Sequence, residues 1–580
     1  MDERKTTNAS LKNTLSNIFE TFTEVNFNQN DKDDLQEWLN CKEDFFYFLK
    51  NYVKLDLPGN ENEFLYHIGQ ELTVRTLMAY HYAVCLKSRQ IGITTVIRAY
   101  CVWLTMFYNN YSVGIISKSG PDATAFIRKC IAVIDDLPPF LKPKFVKKTE
   151  QQYILSNGSI AMSAAVSASQ PENTLRSNPI VFLIIDEGAF IHKINEALTG
   201  LLPTTVTVQK AAERAGVPYG VLVISTPNKT KGTGQWFFEQ YREALLNNGL
   251  DDKQKGGAYK AIRLHWKDLG GPFDQEWYDM QCKVQNYKID NIAQEIDCVF
   301  LPSTKNGLVS KEEVILLNTT QRKPDYIVNQ LGGDIYIFDK TLLETRVSRR
   351  FVLGVDTATA QGRSTFSSMV AIDYDTNEQV LEYVGKLSIY DYPTVVKRAC
   401  EELGDNLFIV AERNTIGETV VESIRRDPIL GPKLYHTIVK DHNGKFVKKF
   451  AGIETNGATK PLFIEAVSDF FKTNISKIYG ERSILQITTV DVDNGKLLGT
   501  PNDLIMVYAF IAYTKRNNLI NFANKPVEQG TTFNSHLEKL SPDDMVKYLY
   551  DRGVNLANRV QTKSEHNKNL LDFLNGERKI

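Results

Sequence analysis

YAVCLKSRQIGITT, residues 82–95, is the stretch on which the reading of the fold turns. Tyr82 to Leu86 is a short apolar run of strand type. A loop containing Gly92 follows, and Thr94 to Phe107 then reads as a buried helix. A strand, a tight glycine-bearing loop and a helix N-terminus together aim backbone N–H groups and the helix dipole at one point, which suits phosphate oxygens. Set against the pattern G-x-x-x-x-G-K-[ST], Gly92 takes the second glycine position and Thr94 the magnesium-ligating hydroxyl. The lysine position holds Ile93, so a cation must come from elsewhere. Lys87, at the place of the first glycine, is the preferred substitute and Arg89 the second. The ATP-binding set expected here is Lys87, Ser88, Arg89, Gln90, Gly92, Thr94 and Thr95, together with Asp186 downstream.

Working outward, Ser112 to Ser117, Val181 to Ile185 and Gly220 to Ser225 read as further buried strands, separated by helical stretches such as Gly234 to Leu246. Buried strands alternating with helices predict a parallel sheet, an α/β domain of the phosphate-loop (RecA/ASCE-like) kind. The strand ending at Asp186-Glu187 supplies two carboxylates. Asp186 and Thr94 are suited to hold Mg²⁺, and Glu187 to orient and deprotonate the attacking water. The next strand ends in Ser225, Thr226 and Asn228, small polar groups suited to sensing the γ-phosphate.

The second half starts afresh at Phe351. FVLGVD, SSMVAIDY and EQVLEYVGK read as three consecutive antiparallel strands; a helix, the strand LFIVAE and later helices follow. This order predicts a mixed sheet of ribonuclease H type, in which the first and fourth strands are neighbours. Asp356 and Glu412, each at a strand end, would then converge, and Asp503 would arrive from the first turn of a late helix. Three carboxylates at one point repel unless divalent cations neutralise them, and oxygen-only ligands favour Mg²⁺ or Mn²⁺. Such a site can cut a phosphodiester with two metal ions.

SRQIGITT, IIDEGAFI and ISTPN, in this order, closely resemble the phosphate-loop, acidic and coupling motifs of the large terminase subunits of contractile-tailed (myovirus-like) bacteriophages. The resemblance runs from about Phe45 to about Val309, and includes NYVKL near Tyr52 and NGLVS near Gly307. It implies a catalytic role for Arg176, in TLRSNP. Some terminases carry the loop lysine early, as Lys87 is here. In the second half, GVDTA, AERN and PNDLIMV match the terminase nuclease triad at Asp356, Glu412 and Asp503. Gln361 to Phe366 departs from the pattern, because Ser364 and Thr365 stand where related sequences often carry a further acid. The implied activity is a packaging motor that drives double-stranded DNA into a procapsid and a nuclease that cuts concatemeric DNA. Implied too are a portal protein, a small terminase subunit, a ring of copies on the portal, and residence in the host cytoplasm and transiently at the portal, outside the mature virion.

Composition is compatible with this. The chain has 580 residues, 42% hydrophobic and 24% charged, with a formal net charge of −1, so any DNA contact must be local. Lys440, Lys445, Lys448 and Lys449 around a hairpin turn, followed by Lys460, form one candidate DNA surface; Lys142, Lys144, Lys147 and Lys148 form another. The seven cysteines are scattered without a Cys-x-x-Cys pair, and neither a signal peptide nor a membrane span is read. The expected organisation is an acidic, partly helical arm (1–44), the ATPase domain (45–310), a linker (311–350), the ribonuclease H-like domain (351–525) and a C-terminal extension (526–580). A helicase–nuclease would need a second RecA-like domain, for which residues 310–350 are too few. The other alternative is a non-hydrolysing DNA-binding assembly subunit, against which the retention of both Asp186 and Glu187 argues.

Overall fold

The computed structural model describes residues 32–54, 66–176, 178–247, 259–302, 307–330, 332–358, 366–414, 416–440, 445–493, 496–498 and 502–522. Residues 1–31 of the arm, the departing segment 361–365, the hairpin turn 441–444 and the C-terminal extension lie outside the described residues. The chain divides into two compact units, one of residues 1–241 with 259–300 and one of 242–258 with 301–580.

In the first unit the strands are β1 (Tyr82–Lys87), β2 (Ser112–Ser117), β3 (Phe145–Lys148), β4 (Gln152–Leu155), β5 (Ile160–Ala165), β6 (Phe182–Asp186), β7 (Gly220–Ser225) and β8 (Lys260–Leu264). They form one sheet in the order β3-β4-β5-β2-β6-β7-β1-β8. From β5 to β8 the pairings are parallel, whereas β3 and β4 add an antiparallel edge, so the sheet is mixed rather than purely parallel. Alternation at β3 and β4 is only four residues long, which is why it did not register as strand. The helix Ile93–Phe107 is apolar on nearly every side and buried to match. The helix Lys32–Glu43, assigned to a solvated arm, instead buries Trp38 and Cys41; Trp38 meets the Phe107 ring at 5.1 Å and Trp103 Nε1 donates to the Cys41 carbonyl at 2.7 Å. What matters for function is the adjacency β6-β7-β1. Parallel neighbours end on the same edge, so Asp186, Ser225 and Lys87 are delivered side by side.

In the second unit β9 (Tyr326–Val328), β10 (Ile335–Ile337), β11 (Phe351–Asp356), β12 (Ser367–Asp373), β13 (Gln379–Gly385) and β14 (Leu407–Ala411) form a sheet in the order β14-β11-β12-β13-β10-β9. β11, β12 and β13 are antiparallel, and β14 joins β11 in parallel, as predicted. The stretch 311–350, read as a linker, carries the helix Lys311–Thr320 as well as β9 and β10, which extend this sheet past β13. Those strands are three residues each, too short to show a period of two. Gly354 lies under the helix Asp503–Arg516; a Cβ there would meet Val507 Cγ1 at 2.6 Å. That close approach brings the start of the helix down onto the carboxyl end of β11. A hairpin of β15 (His436–Lys440) and β16 (Phe446–Ala451) and a small ribbon of β17 (Asp491–Asp493) and β18 (Lys496–Leu498) complete the unit. No helix among the described residues is long and apolar enough to cross a membrane.

Candidate active sites

In the first unit, Gly92 adopts φ 75°, a left-handed conformation that glycine enters without Cβ strain, and so turns the loop into the helix. Its side-chain-free cap leaves the first-turn N–H groups of that helix, around Thr94 and Thr95, without a side-chain partner. Both threonines are half-buried. Ile93 explains the missing lysine locally: its side chain is buried in the main hydrophobic cluster, in contact with the core rather than the loop. β1 places a cation beside Glu187. Lys87 is buried, and its Nζ lies 3.2 Å from Glu187 Oε1. Glu187 sits at φ 57°, a strained backbone for a non-glycine residue that turns its carboxylate toward the loop.

Beside it, burial together with the adjacent Glu187 pushes the Asp186 carboxyl up to about 6, while Lys87 and Arg98 draw it down. Asp186 Oδ1 is buried without a hydrogen-bond partner, which is the state of an oxygen suited to a cation or its water. Ser225 Oγ accepts from the Ala189 amide at 3.1 Å and Asn228 Nδ2 donates to the Ala189 carbonyl at 3.0 Å. These two residues therefore grip the turn after Glu187 from both sides, and Thr226 is buried next to them.

Three of the expected site residues stand apart. Ser88 is fully buried, its hydroxyl donating to the Ile296 carbonyl at 2.6 Å and accepting from the Trp266 amide at 3.1 Å, so its side chain is spent inside the fold. Arg89 turns outward, with Nη1 3.0 Å from Glu295 Oε2. Arg176 is exposed, and no hydrogen bond or ion pair of its side chain occurs among the described residues. Gln90 adopts a left-handed backbone, at φ 60°. Sequence reasoning passed over His67 and Gln70. Burial lowers the His67 pKa, so the ring is neutral; Nε2 donates to the Ile91 carbonyl at 2.7 Å and Nδ1 accepts from the Gly69 amide. Gln70 Nε2 donates to the Gly92 carbonyl at 3.3 Å. Both pin the loop from the helix Ile68–Tyr80, and their only signal was a capping pattern ahead of it. Arg98, one helical turn beyond Thr94, was passed over as well.

In the second unit the three predicted acids do meet. Asp356 hydrogen-bonds with Glu412 and feels the charges of both Glu412 and Asp503; burial and that repulsion hold it well above the usual carboxylate range. Burial, with Glu412 adding to it, pushes the Asp503 carboxyl up to about 7. Asp503 Oδ2 is buried without a partner. Asn414, quoted within AERN but given no role, donates to Glu412 Oε2 at 2.6 Å, while its own Oδ1 accepts from the amides of Ile416 and Gly417. Glu412 is thereby held in one orientation. Among the described residues no group of three or more His, Cys, Asp or Glu is arranged as a ready-made metal cage. The donor chemistry nonetheless fits a hard divalent cation. The ligands would be oxygens only, one of them is orphaned, and burial, with mutual repulsion adding to it, raises two of the carboxyls.

The hairpin lysines Lys445, Lys448 and Lys449 are exposed alongside Phe446 and Val447, and Lys448 Nζ lies 5.7 Å from the Phe450 ring centre. Lys440 ends β15, and Lys460 is in the first turn of the helix Thr459–Asn474. The hairpin is rooted on the acid site, since Ile453 bridges to Glu412. In the other patch Lys148 and Lys142 both approach Asp135, at 2.6 and 4.0 Å, which offsets part of their charge; Lys144 and Lys147 lie on or beside β3.

No family model matches the chain. Among solved structures it is similar to the large terminase of bacteriophage HK97, at 10% identity over 81% of this chain and 99% of that one, with a TM-score of 0.35. It is also similar to the large terminase ATPase domain of Thermus phage P74-26, at 18% identity over 41% and 95%, TM-score 0.32. A third likeness is to the large terminase nuclease of thermophilic phage G20c with bound magnesium, at 15% identity over 36% and 98%, TM-score 0.26. At such distances the chemistry of this chain has to be read from its own side chains.

Proposed function

We propose that this chain is the large subunit of a tailed-bacteriophage terminase, myovirus-like in its motifs, that couples ATP hydrolysis to the movement of double-stranded DNA into a procapsid and cuts concatemeric DNA at the start and end of packaging. The observation that carries this reading is the presence of both half-sites in one chain: Lys87 against Glu187 over a phosphate-type loop, and Asp356, Glu412 and Asp503 clustered in the second unit.

In the first site, Lys87 and the helix N-terminus bind the phosphates of ATP, Thr94 and Asp186 hold Mg²⁺, and Glu187 orients the attacking water and takes its proton. Ser225, Thr226 and Asn228 transmit the change at Glu187 through the turn at Ala189. Arg176, being exposed, is available to the phosphates of a neighbouring copy in a ring on the portal. In the second site Asp356, Glu412 and Asp503 hold divalent cations, Mg²⁺ or Mn²⁺, which when bound supply an activated water and charge stabilisation for phosphodiester hydrolysis. Asn414 keeps Glu412 aimed. The hairpin lysines and Lys460 bind the DNA backbone without reading sequence. The partners are DNA, the portal protein and a small terminase subunit, met in the host cytoplasm and at the portal. A helicase–nuclease is disfavoured, because residues 301–350 are built into the second unit and leave no segment for a second RecA-like domain.

The test is a paired assay of the wild type, Glu187→Gln and Asp356→Asn. ATP turnover with Mg²⁺ is expected to vanish in the first variant alone, and plasmid cleavage with Mn²⁺ in the second alone. Wild-type protein that binds no ATP would favour the non-hydrolysing assembly subunit instead.

A further inference from the structure

A catalytic carboxylate at a helix start is only as well placed as the first turn that carries it. Functional groups have to be held to within about 0.5 Å by their surroundings. For the helix Asp503–Arg516 the usual device is missing: Asn502 at the N-cap makes no side-chain cap bond. The first-turn N–H groups of a buried helix still need partners. One of them, the Leu504 amide directly after Asp503, donates to Gln486 Oε1 at 3.0 Å.

Gln486 is itself 1% exposed and belongs to a different helix, Glu481–Thr489. That helix is tied down at its own start. Arg482 Nε lies 2.7 Å from Glu382 Oε1, and the Ser483 amide donates to Glu382 Oε2 at 3.0 Å; Glu382 belongs to β13 and is fully buried, as is Arg482. The preceding amides of Tyr479 and Gly480 both donate to Gln379 Oε1, at 2.7 and 2.8 Å. A buried ion pair of this kind is a poor source of stability relative to an apolar pair, and its better-attested use is to fix one arrangement. Here the arrangement it fixes runs from β13 through Arg482 and Ser483 to Gln486, and from there to the amide beside Asp503. Gln486 Nε2 and Asp503 Oδ2 are both buried and unpartnered, and the link between the two residues runs through the Leu504 N–H.

We propose that Gln486 is a positioning residue for the acid site, capping from a neighbouring helix the turn that delivers Asp503 and so setting the site's affinity for divalent cations; this rests on the reading of Asp356, Glu412 and Asp503 given above. Outer-shell partners of metal ligands typically change metal affinity about 10- to 100-fold when removed.

The experiment is Mn²⁺ binding to the full chain without nucleotide, followed by the electron paramagnetic resonance of free Mn²⁺, with Asp356→Asn marking the share of binding due to the acid site. Gln486→Met removes the acceptor, Gln486→Asn withdraws it by one methylene, and Gln486→Glu keeps both reach and acceptor. The expected result is an affinity weakened about tenfold or more in the first two and within about threefold of wild type in the third. ATP turnover should stay near wild type throughout, while the loss of a buried hydrogen bond lowers the unfolding temperature in the first two variants. Met and Asn variants that bind Mn²⁺ as the wild type does would overturn the proposal, as would a Glu variant as weak as the Met variant. Should Met alone unfold the second unit, the Asn–Glu contrast decides by the same criteria. Undiminished binding in Asp356→Asn would instead remove the acid-site reading, and Gln486's role with it.

Discussion

The two sites balance their carboxylates in opposite ways. In the first unit the carboxylates Asp186 and Glu187 face a cation from the same chain, Lys87, with Arg98 acting on Asp186 from the helix above. In the second, three carboxyls crowd together, and the side chain that anchors Glu412 is the neutral amide of Asn414. A site balanced internally suits a polyanionic substrate that brings its own charge. A site left anionic must import cations before it can approach a phosphodiester at all. The sharpest way to break this comparison is to exchange the losses. Lys87→Ala is expected to lower ATP turnover by a hundredfold or more while leaving Mn²⁺-dependent plasmid cleavage intact. Cleavage falling in parallel, at unchanged circular dichroism, would mean that the two units are not chemically independent.

Next in size is the anchor. Asn414→Ala frees Glu412 Oε2 from its 2.6 Å donor and releases the amides of Ile416 and Gly417. Affinity for Mn²⁺ should drop by about 10- to 100-fold, measured as the metal concentration for half-maximal cleavage, with ATP turnover unaltered. A variant that needs no more metal than wild type would show Glu412 to be held by the fold alone.

The charge imbalance also has a sign in stability. Asp503, raised to about 7, favours its protonated form in the folded, metal-free chain, so the stability linked to it is full below the ordinary aspartate pKa and is lost as pH rises through about 7. Asp503→Asn should therefore stabilise the metal-free protein at pH 8, on the order of 2 kcal/mol, and bring little change at pH 4. Asp186, raised only to about 6 beside cations, should give the same sign at smaller size. Thermal unfolding in EDTA at the two pH values checks both. Equal effects at pH 8, or destabilisation by Asp503→Asn, would contradict the contrast drawn between the sites.

How much of this was legible beforehand follows from where each feature keeps its information. β1, β2, β6, β7 and the strand ends at Asp186, Asp356 and Glu412 are local: short apolar runs, three of the strands with an acid at or just past the end, which periodicity and strand chemistry expose directly. β9 and β10 are three residues long and owe their strand state to the edge they extend, so residues 311–350 looked like a linker. In loops, side-chain direction has no period. Ser88 was thus grouped with the nucleotide contacts although it points inward to Ile296 and Trp266, 208 and 178 residues away in sequence. Asn414 and Gln486 act across tertiary contacts as ordinary polar residues, with nothing in their neighbours to mark them. Arg98 is the nearest miss, since one turn beyond Thr94 its side chain shares that face of the helix.

The smallest expected effect bears on which cation replaces the lysine missing at Ile93. Arg89 lies inside the loop in sequence, yet its backbone amide donates to the Glu295 carbonyl at 2.7 Å and its guanidinium pairs with the Glu295 carboxylate. Its side chain is 55% exposed, so that pair contributes about 0.2–1 kcal/mol at most. Lys87, by contrast, is 6% exposed at its side chain and faces Glu187 directly. Arg89→Ala should therefore leave ATP turnover within about twofold of wild type, far above Lys87→Ala, because the free-energy change available to it is about 1 kcal/mol or less. A loss as deep as that of Lys87→Ala would require Arg89 to leave Glu295 and swing over the phosphates when ATP binds. In that case Glu295→Gln, by freeing the arginine, should tighten ATP binding, and the contrast between a self-balanced site and an anionic one would rest on a mobile cation rather than on β1.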